Sequence, residues 1–507
     1  MLLAVARPPF DVGPLALVAL VPLLWAWRGA TPKRAIATGF VAGAAYYGIL
    51  VSWAWYFGAV ALAPFVAILA LYWAAAGGLV ACFERRGIRS PWLTAAVWVV
   101  VEAIVARFPL GGFSWGEVGY AFHALSPARA LASVGGVPLV SFLAVATNAF
   151  ILDVVGALRR PRRAALVLSV SGLLVVVLAA PAVATITWMH PTTTGRFHVA
   201  LIQGNNLNRD LTQAEQDARY LPRSHFALAN TLTGRYDLVV FPESSMDADP
   251  RTDAYLEGHL AAVASRLHSA VLANAVADAP DGRAVNLDLM YDTQGRLIGT
   301  YAKRHLVPYG EFVPFRHELQ SVVTALKQIP RDFAPGHRLG LFDVKGHRVG
   351  TVICFESAFG RDVRPLVRHG AQLIVVSTNN RSYRRSANSA QHLALSQMRA
   401  AETGRPVVQA AISGISAVID AHGNVSHTTH LFQRTVVDTT VTLTTGTTLY
   451  VRMGEWVTLA SLLALAIALG IGFARRRDGS VDSTDVIDAP HTAGEPGHAP
   501  ALTGDRA

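Results

Sequence analysis

Long apolar runs constrain this chain before anything else does. A spanning helix needs about 20 mostly apolar residues, and runs of that kind cover 12–27, 35–56, 59–82, 92–107, 134–156, 165–187 and 456–474. The runs at 12–27 and 92–107 are short, so their ends are the softest. The chain is 52% hydrophobic and 15% charged, against about 25% charged in ordinary soluble domains. Trp25, Trp27, Trp53, Trp55, Trp92 and Trp188 fall near predicted span ends. There an indole either sits at the headgroup level or packs between helices.

The loops set the orientation. Basic residues cluster at Arg28, Lys33 and Arg34; at Arg85, Arg86 and Arg89; at Arg159, Arg160, Arg162 and Arg163; and at Arg475, Arg476 and Arg477. Two predicted spans separate each cluster from the next, so all four share one side, which the positive-inside rule makes the cytoplasm. The net charge of +10 therefore reads as membrane orientation rather than as a nucleic-acid-binding face. The expected division is a transmembrane bundle over 1–189, an extracytoplasmic domain over 190–450, a last transmembrane helix over 451–475 and a disordered cytoplasmic tail over 476–507. "MLLAVARPPFD" offers six apolar residues before Arg7, which predicts a truncated first span.

Between 190 and 450 the pattern changes to short β-rich runs. Strands are predicted at 197–204, 237–244, 269–276, 286–292, 296–303, 348–356, 372–379, 406–412 and 416–423, with helices at 211–233, 252–268, 360–370 and 388–403. "DTQG" (292–295) and "AHGN" (421–424) supply hairpin turns. This mixture predicts a layered α/β domain. There is no repeat, no glycine-rich phosphate loop and no metal-ligand spacing, so neither metal nor cofactor is expected. The 17 histidines are scattered and read as surface or core residues.

Three predicted strands end in groups with chemical potential: Glu243 after "LVVFP", Lys303 after "LIGTYA" and Cys354 after "GTVI". Singly, the two charges read as solvated and the thiol as a small core residue. A disulfide is excluded, because Cys82 is predicted near the cytoplasmic end of a span and Cys354 outside. An unpaired thiol in an oxidising compartment is a liability unless it has a use.

"FPES", "YAKRHLVPYGEFVP" and "ICFES" occur in the order and spacing of the Glu-Lys-Cys triad of the nitrilase superfamily, which this sequence resembles. The long lysine motif, preceded by a multispan bundle and followed by one more span, resembles the apolipoprotein N-acyltransferase family in particular. The likeness runs from "PPFD" through "FSWGEVGYAF" (113–122) to the last helix. It implies a nitrilase-like αββα sandwich docked on a membrane bundle that usually holds eight spans.

The resemblance implies a ping-pong acyl transfer. Cys354 is the nucleophile, Glu243 the general base and acid, and Lys303 the oxyanion partner, assisted by the N–H of Phe355. Glu311 orients Lys303 or relays a proton, and Glu356 positions the loop around the thiol or makes a structural ion pair. The implied donor is a phospholipid, and the implied acceptor the N-terminal amine of a diacylglyceryl-cysteine on a lipoprotein. The segment 317–336 is a candidate lid or an ordinary surface helix and loop. One departure stands out: "NNRSYRRSANS" (379–389) carries Arg381, Arg384 and Arg385 where a small or aromatic residue followed by glycine is expected. Tyr383 is the candidate aromatic for the acyl site, and the arginines, Arg381 first, are candidates for lipid phosphates. A membrane-tethered amidase acting on a small C–N substrate and a non-catalytic scaffold remain as alternatives.

Overall fold

The computed structural model describes residues 1–159, 163–187, 191–318 and 331–481. The apolar runs become helices α1 (Pro32–Leu50), α2 (Ala59–Arg85), α3 (Pro91–Val105), α4 (Ser126–Arg159) and α5 (Arg163–Ile186). By length and apolar composition α2, α4 and α5 are able to cross a membrane. Starts are set locally: Thr31 accepts from the Arg34 N–H with Pro32 at the first helical position, and Ser90 with Pro91 repeats the arrangement at α3. Helices α1 and α2 approach closely because Gly43 has no side chain; a Cβ there would lie 2.9 Å from Trp73 Cβ.

Two predicted spans divide. The run 12–27 splits into a 3₁₀ turn (Gly13–Leu17) and a short helix (Val21–Trp27), each with a proline in its first turn. The run 35–56 stops at Leu50 and continues as 3₁₀ turns over Ser52–Phe57, ended by Gly58 at φ +89°. The tryptophans divide too: Trp25 and Trp55 are 63% exposed, whereas Trp27 and Trp53 are buried. Trp188 lies outside the described residues.

The two ends of the bundle differ. At one end Arg28 pairs with Asp153, the Gly29 N–H donates to Glu84 at 2.9 Å, and Arg89 pairs with Glu84 at 3.2 Å. At the other end Arg107 pairs with Glu455, and Arg361 of the β-rich part donates to Ala106 O and Gly111 O.

The β-rich part is two six-stranded sheets. Strands β1 (Thr192–Gln203), β2 (Leu238–Val240), β3 (Ala270–Asp278), β4 (Ala284–Tyr291) and β5 (Leu297–Ala302) lie in sequence order in the first. The second holds β6 (Gly340–Val344), β7 (His347–Ile353), β8 (Leu373–Thr378), β9 (Val407–Ala411), β10 (Ala417–Ile419) and β11 (Val425–Ser426). The chain then returns as β12 (Thr435–Thr445), antiparallel to β1. Val199, Leu201, Val240, Leu272, Met290, Ile353, Val375 and Val408 fill the space between the sheets. Helices α6 (Tyr220–Ala229) and α7 (Ala254–Leu267) cover the first sheet; α8 (Gly360–Arg368) and α9 (Asn388–Thr403) cover the second. The layers are αββα, and the chain leaves through α10 (Leu449–Met453) into α11 (Trp456–Val481).

Strands β6, β11 and β12 have no counterpart in the sequence expectation. β12 reads "TVVDTTVTLTT", whose threonines hide the inward series Val437, Val441 and Leu443. The run 211–233 breaks at Arg219, which takes φ +56°. The strand expected to reach 356 ends at Ile353, because Cys354 takes φ +51°. Residues 319–330 of the candidate lid and 482–507 of the tail lie outside the described residues. The lid's last part is fastened down: the Phe333 N–H donates to Glu311 O at 2.7 Å and the Gly336 N–H to Lys303 O at 2.8 Å.

Candidate active site

Three strand ends converge here, two from strands with parallel neighbours (β2 and β7) and one from β5, which runs antiparallel to β4. Glu243 follows β2, Lys303 follows β5 and Cys354 follows β7. Lys303 is 1% exposed, and its Nζ lies 3.2 Å from Glu243 Oε1 and 2.8 Å from Glu311 Oε1. Asn286 Nδ2 donates to both carboxylates, at 2.8 and 3.2 Å. Burial alone would lower the lysine's pKa, but Glu243, Glu311 and Cys354 together hold it well above the ordinary value. The lysine is therefore a fixed cation.

The thiol is pushed the other way. Burial first, then the Glu243 charge, raise the Cys354 pKa to about 12; Lys303, Thr378 and the Asn379 N–H pull down less. Its backbone sits at φ +51°, a region that non-glycine residues occupy only where the surroundings enforce it. The thiol lies close enough to Glu243 and Lys303 for both charges to act on it.

Glu356 is the enforcing group. Fully buried, it accepts from the N–H groups of Ile353 (2.7 Å), Arg304 (2.7 Å) and His305 (3.0 Å) and from Tyr301 Oη (2.8 Å). One carboxylate thus ties the turn before the thiol to the residues after Lys303, and among the described residues it makes no ion pair. Burial raises its pKa to about 7. Glu356→Gln keeps the size and removes half the acceptor capacity, so a loss of about 2 kcal/mol is expected. A lower Tm in detergent micelles would read it; an unchanged Tm would mean that the turn holds itself.

Phe355 packs against Phe113, Trp115 and His305, at ring separations of 6.2, 6.4 and 5.4 Å, so it joins the Cys354 turn to the bundle. Tyr383 stands edge-on to Trp53 (4.8 Å) and Phe57 (5.8 Å) in the turns after α1. Burial raises the pKa of its hydroxyl, and the nearby Lys303 charge opposes part of the rise. The Arg381 guanidinium pairs with Asp210 and donates to Leu207 O, which ties it to the loop before α6. Arg384 lies over Tyr56 and Arg385 over Phe432.

Several site residues carried no sequence signal. Asn274 links Asn286 to Asp288 at 2.9 Å each, and Asp288 accepts from Thr351 and Ser377 across the two sheets. His392 bonds Ser357 Oγ at 2.7 Å and Cys354 O at 3.1 Å, and burial lowers its pKa to about 4, so it is a neutral strut. Gln391 accepts from the indoles of Trp53 (3.0 Å) and Trp115 (2.8 Å), so α9 grips the bundle beside the site. A polar residue on a helix among apolar neighbours was the available hint, and by itself it is too common to use. Among the described residues no cluster of His, Cys, Asp and Glu is able to hold a metal ion.

The sequence has relatives along nearly its whole length. Residues 1–150 match the apolipoprotein N-acyltransferase N-terminal domain family, and residues 198–449 match the carbon-nitrogen hydrolase family. A curated apolipoprotein N-acyltransferase from Geobacter metallireducens is 32% identical, covering 94% of this chain and 94% of its own. One from Methylococcus capsulatus is 32% identical over 94% of this chain and 95% of its own. Among solved structures, a CN-hydrolase superfamily protein from Xanthomonas campestris aligns at 22% identity, with TM-score 0.39, over 49% of this chain and 91% of its own. Identity sustained through the bundle and the sandwich alike leaves one conclusion: the chain belongs to the apolipoprotein N-acyltransferase family.

Proposed function

We propose that this enzyme moves a fatty acyl chain from a phospholipid, through a thioester on Cys354, to the N-terminal amine of a diacylglyceryl-cysteine on a lipoprotein. The observation that carries the reading is the buried Lys303, held between Glu243 and Glu311 beside a strained thiol in a domain seated on membrane helices. In the first half-reaction Glu243 takes the thiol proton as sulfur attacks the ester carbonyl, and returns it to the leaving lysophospholipid. Lys303 meets the oxyanion, with the Phe355 N–H as second donor. In the second half Glu243 deprotonates the amine, which attacks the thioester and releases Cys354. Glu311 orients Lys303, Glu356 holds the turn, and Tyr383 with its aromatic neighbours lines the acyl chain.

The division at 189/190 and 450/451, the multi-pass insertion in the cell membrane and the extracytoplasmic placement of the catalytic domain belong to the same proposal. The gathering of Arg28, Glu84 and Arg89 at the bundle end remote from Arg361 supports the orientation. A tethered amidase would share the triad but leave the aromatic contacts with the bundle without a task.

Mass spectra of lipoprotein N-terminal peptides from cells with the wild type, Cys354→Ala or a deletion test the function. N-acylation is expected only with the wild type, and identical spectra from all three would refute it. A second outcome concerns the resting thiol. A folded pKa raised to about 12 keeps the protonated form as pH rises past the ~8.5 of a free cysteine. Iodoacetamide should therefore alkylate substrate-free Cys354 more slowly than an unstructured cysteine at about pH 7.5. The rate should still be climbing above about pH 9.5, where the free thiol levels off. A plateau near pH 7 would show a resting thiolate instead.

A further inference from the structure

Outside the triad, an open depression of about 570 Å³ lies where the bundle meets the catalytic domain. Its walls are Leu110 and Gly111 after α3, the chain following Lys303, and the start of α8. Arg304, His305, His337 and Arg361 line it, faced by one carboxylate, Asp362. That carboxylate is committed elsewhere: its Oδ2 lies 3.0 Å from His305 Nδ1, whereas Arg304 reaches Oδ1 only at 3.7 Å. The contact is too long for a hydrogen bond, and the Arg304 guanidinium makes none among the described residues.

Arg361 is aimed but not neutralised. Its guanidinium donates to Ala106 O at 2.8 Å and Gly111 O at 2.6 Å and lies over the Phe359 ring at 4.8 Å. Carbonyls and a ring orient a cation without cancelling its charge. Two arginines against one carboxylate leave one positive charge, matching the single negative charge of a phosphate diester. Helix α8 begins here without a side-chain cap, and its positive end adds to the preference for an anion. Phe108 (66%) and Leu110 (37%) are exposed beside it, as expected of an edge that meets lipid.

We propose that this depression is a phosphate site that takes the headgroup of a membrane phospholipid. The inference deepens the donor assignment above and rests on it. Arg304 directly follows Lys303, and its N–H shares the Glu356 carboxylate with the N–H of Ile353, the residue before the nucleophile. One buried group thus fixes the distance between the phosphate site and the thiol. A headgroup seated on Arg304 and Arg361 sets which part of the glycerol ester faces Cys354. Arg304 is a positioning residue in this role, acting on the donor's phosphate and not on the reacting atoms.

The test uses the full-length protein in an uncharged detergent, titrated separately with dihexanoyl phosphatidylglycerol, dihexanoylglycerol and inorganic phosphate, with binding read by native mass spectrometry. Arg304→Gln should weaken phosphatidylglycerol binding about tenfold or more, and Arg304→Lys by less. Dihexanoylglycerol, which lacks the phosphate, should bind all three proteins alike. Equal phosphatidylglycerol affinity in wild type and Arg304→Gln would overturn the site, as would an equal loss for dihexanoylglycerol. Inorganic phosphate binding as tightly as the phospholipid would overturn the headgroup assignment in favour of a free-phosphate site. Binding is read without chemistry. A missing thioester with Arg304-dependent binding counts against the donor reading alone, and a normal thioester with Arg304-independent binding against this site alone. An unchanged Tm shows that Arg304→Gln still folds; if it does not, Arg304→Lys carries the comparison.

Discussion

Cys354→Ala should abolish acyl transfer while the protein stays folded. The side chain packs at the edge of the inter-sheet core, and losing one sulfur from such a place costs about 1 kcal/mol. Alanine accepts the φ of +51° no worse than cysteine, so the turn held by Glu356 persists. What disappears is the only atom of the site able to carry an acyl group as a thioester. Cys354→Ser keeps the shape and offers a hydroxyl whose proton is far harder for Glu243 to remove. It should fold like the wild type and be severely impaired. Transfer at the wild-type rate in either variant would move the nucleophile elsewhere.

Lys303→Met should damage rate and stability together, for separable reasons. Methionine fills the space but supplies no donor to the oxyanion, and losing one such donor lowers rates by about 10²–10³-fold. It also leaves Glu243 and Glu311 facing each other in a buried site, with Asn286 Nδ2 as their shared donor. Breaking a buried charge set from one side costs about 3–5 kcal/mol. Adding Glu311→Gln removes one of the stranded charges, so the double variant should regain much of the lost Tm and none of the lost rate. Recovery of both would make Lys303 a structural cation only; recovery of neither would mean that the pocket collapses without it.

The parts of this molecule that were legible in the sequence are those in which one residue type is tied to one periodicity or one strand end. Apolar runs announced α2, α4 and α5, and β-branched runs announced β7 and β8, so Glu243, Lys303 and Cys354 were visible as strand-end groups before any geometry existed. Their meeting was not readable from spacing, because it depends on two sheets packing face to face; the family motif supplied it. The break at Ser52–Phe57 was hidden because aromatic turns are as apolar as helix, and β12 because threonine reads as loop. The pairing of Arg381 with Asp210, 171 positions earlier, is likewise invisible in one dimension. The Asn286–Asn274–Asp288 chain and Gln391 are ordinary polar residues whose roles exist only through partners that the fold brings to them.

The proposed mechanism places the acyl group on Cys354 between the two half-reactions. Its most direct measurement is the intact mass of the purified full-length protein after incubation with a phospholipid of one defined acyl chain. A gain of one acyl group is predicted, mapped to the Cys354 peptide, cleaved by neutral hydroxylamine, absent in Cys354→Ala and discharged by a diacylated peptide with a free amine. An unmodified Cys354 in a preparation that still N-acylates that peptide would contradict the account.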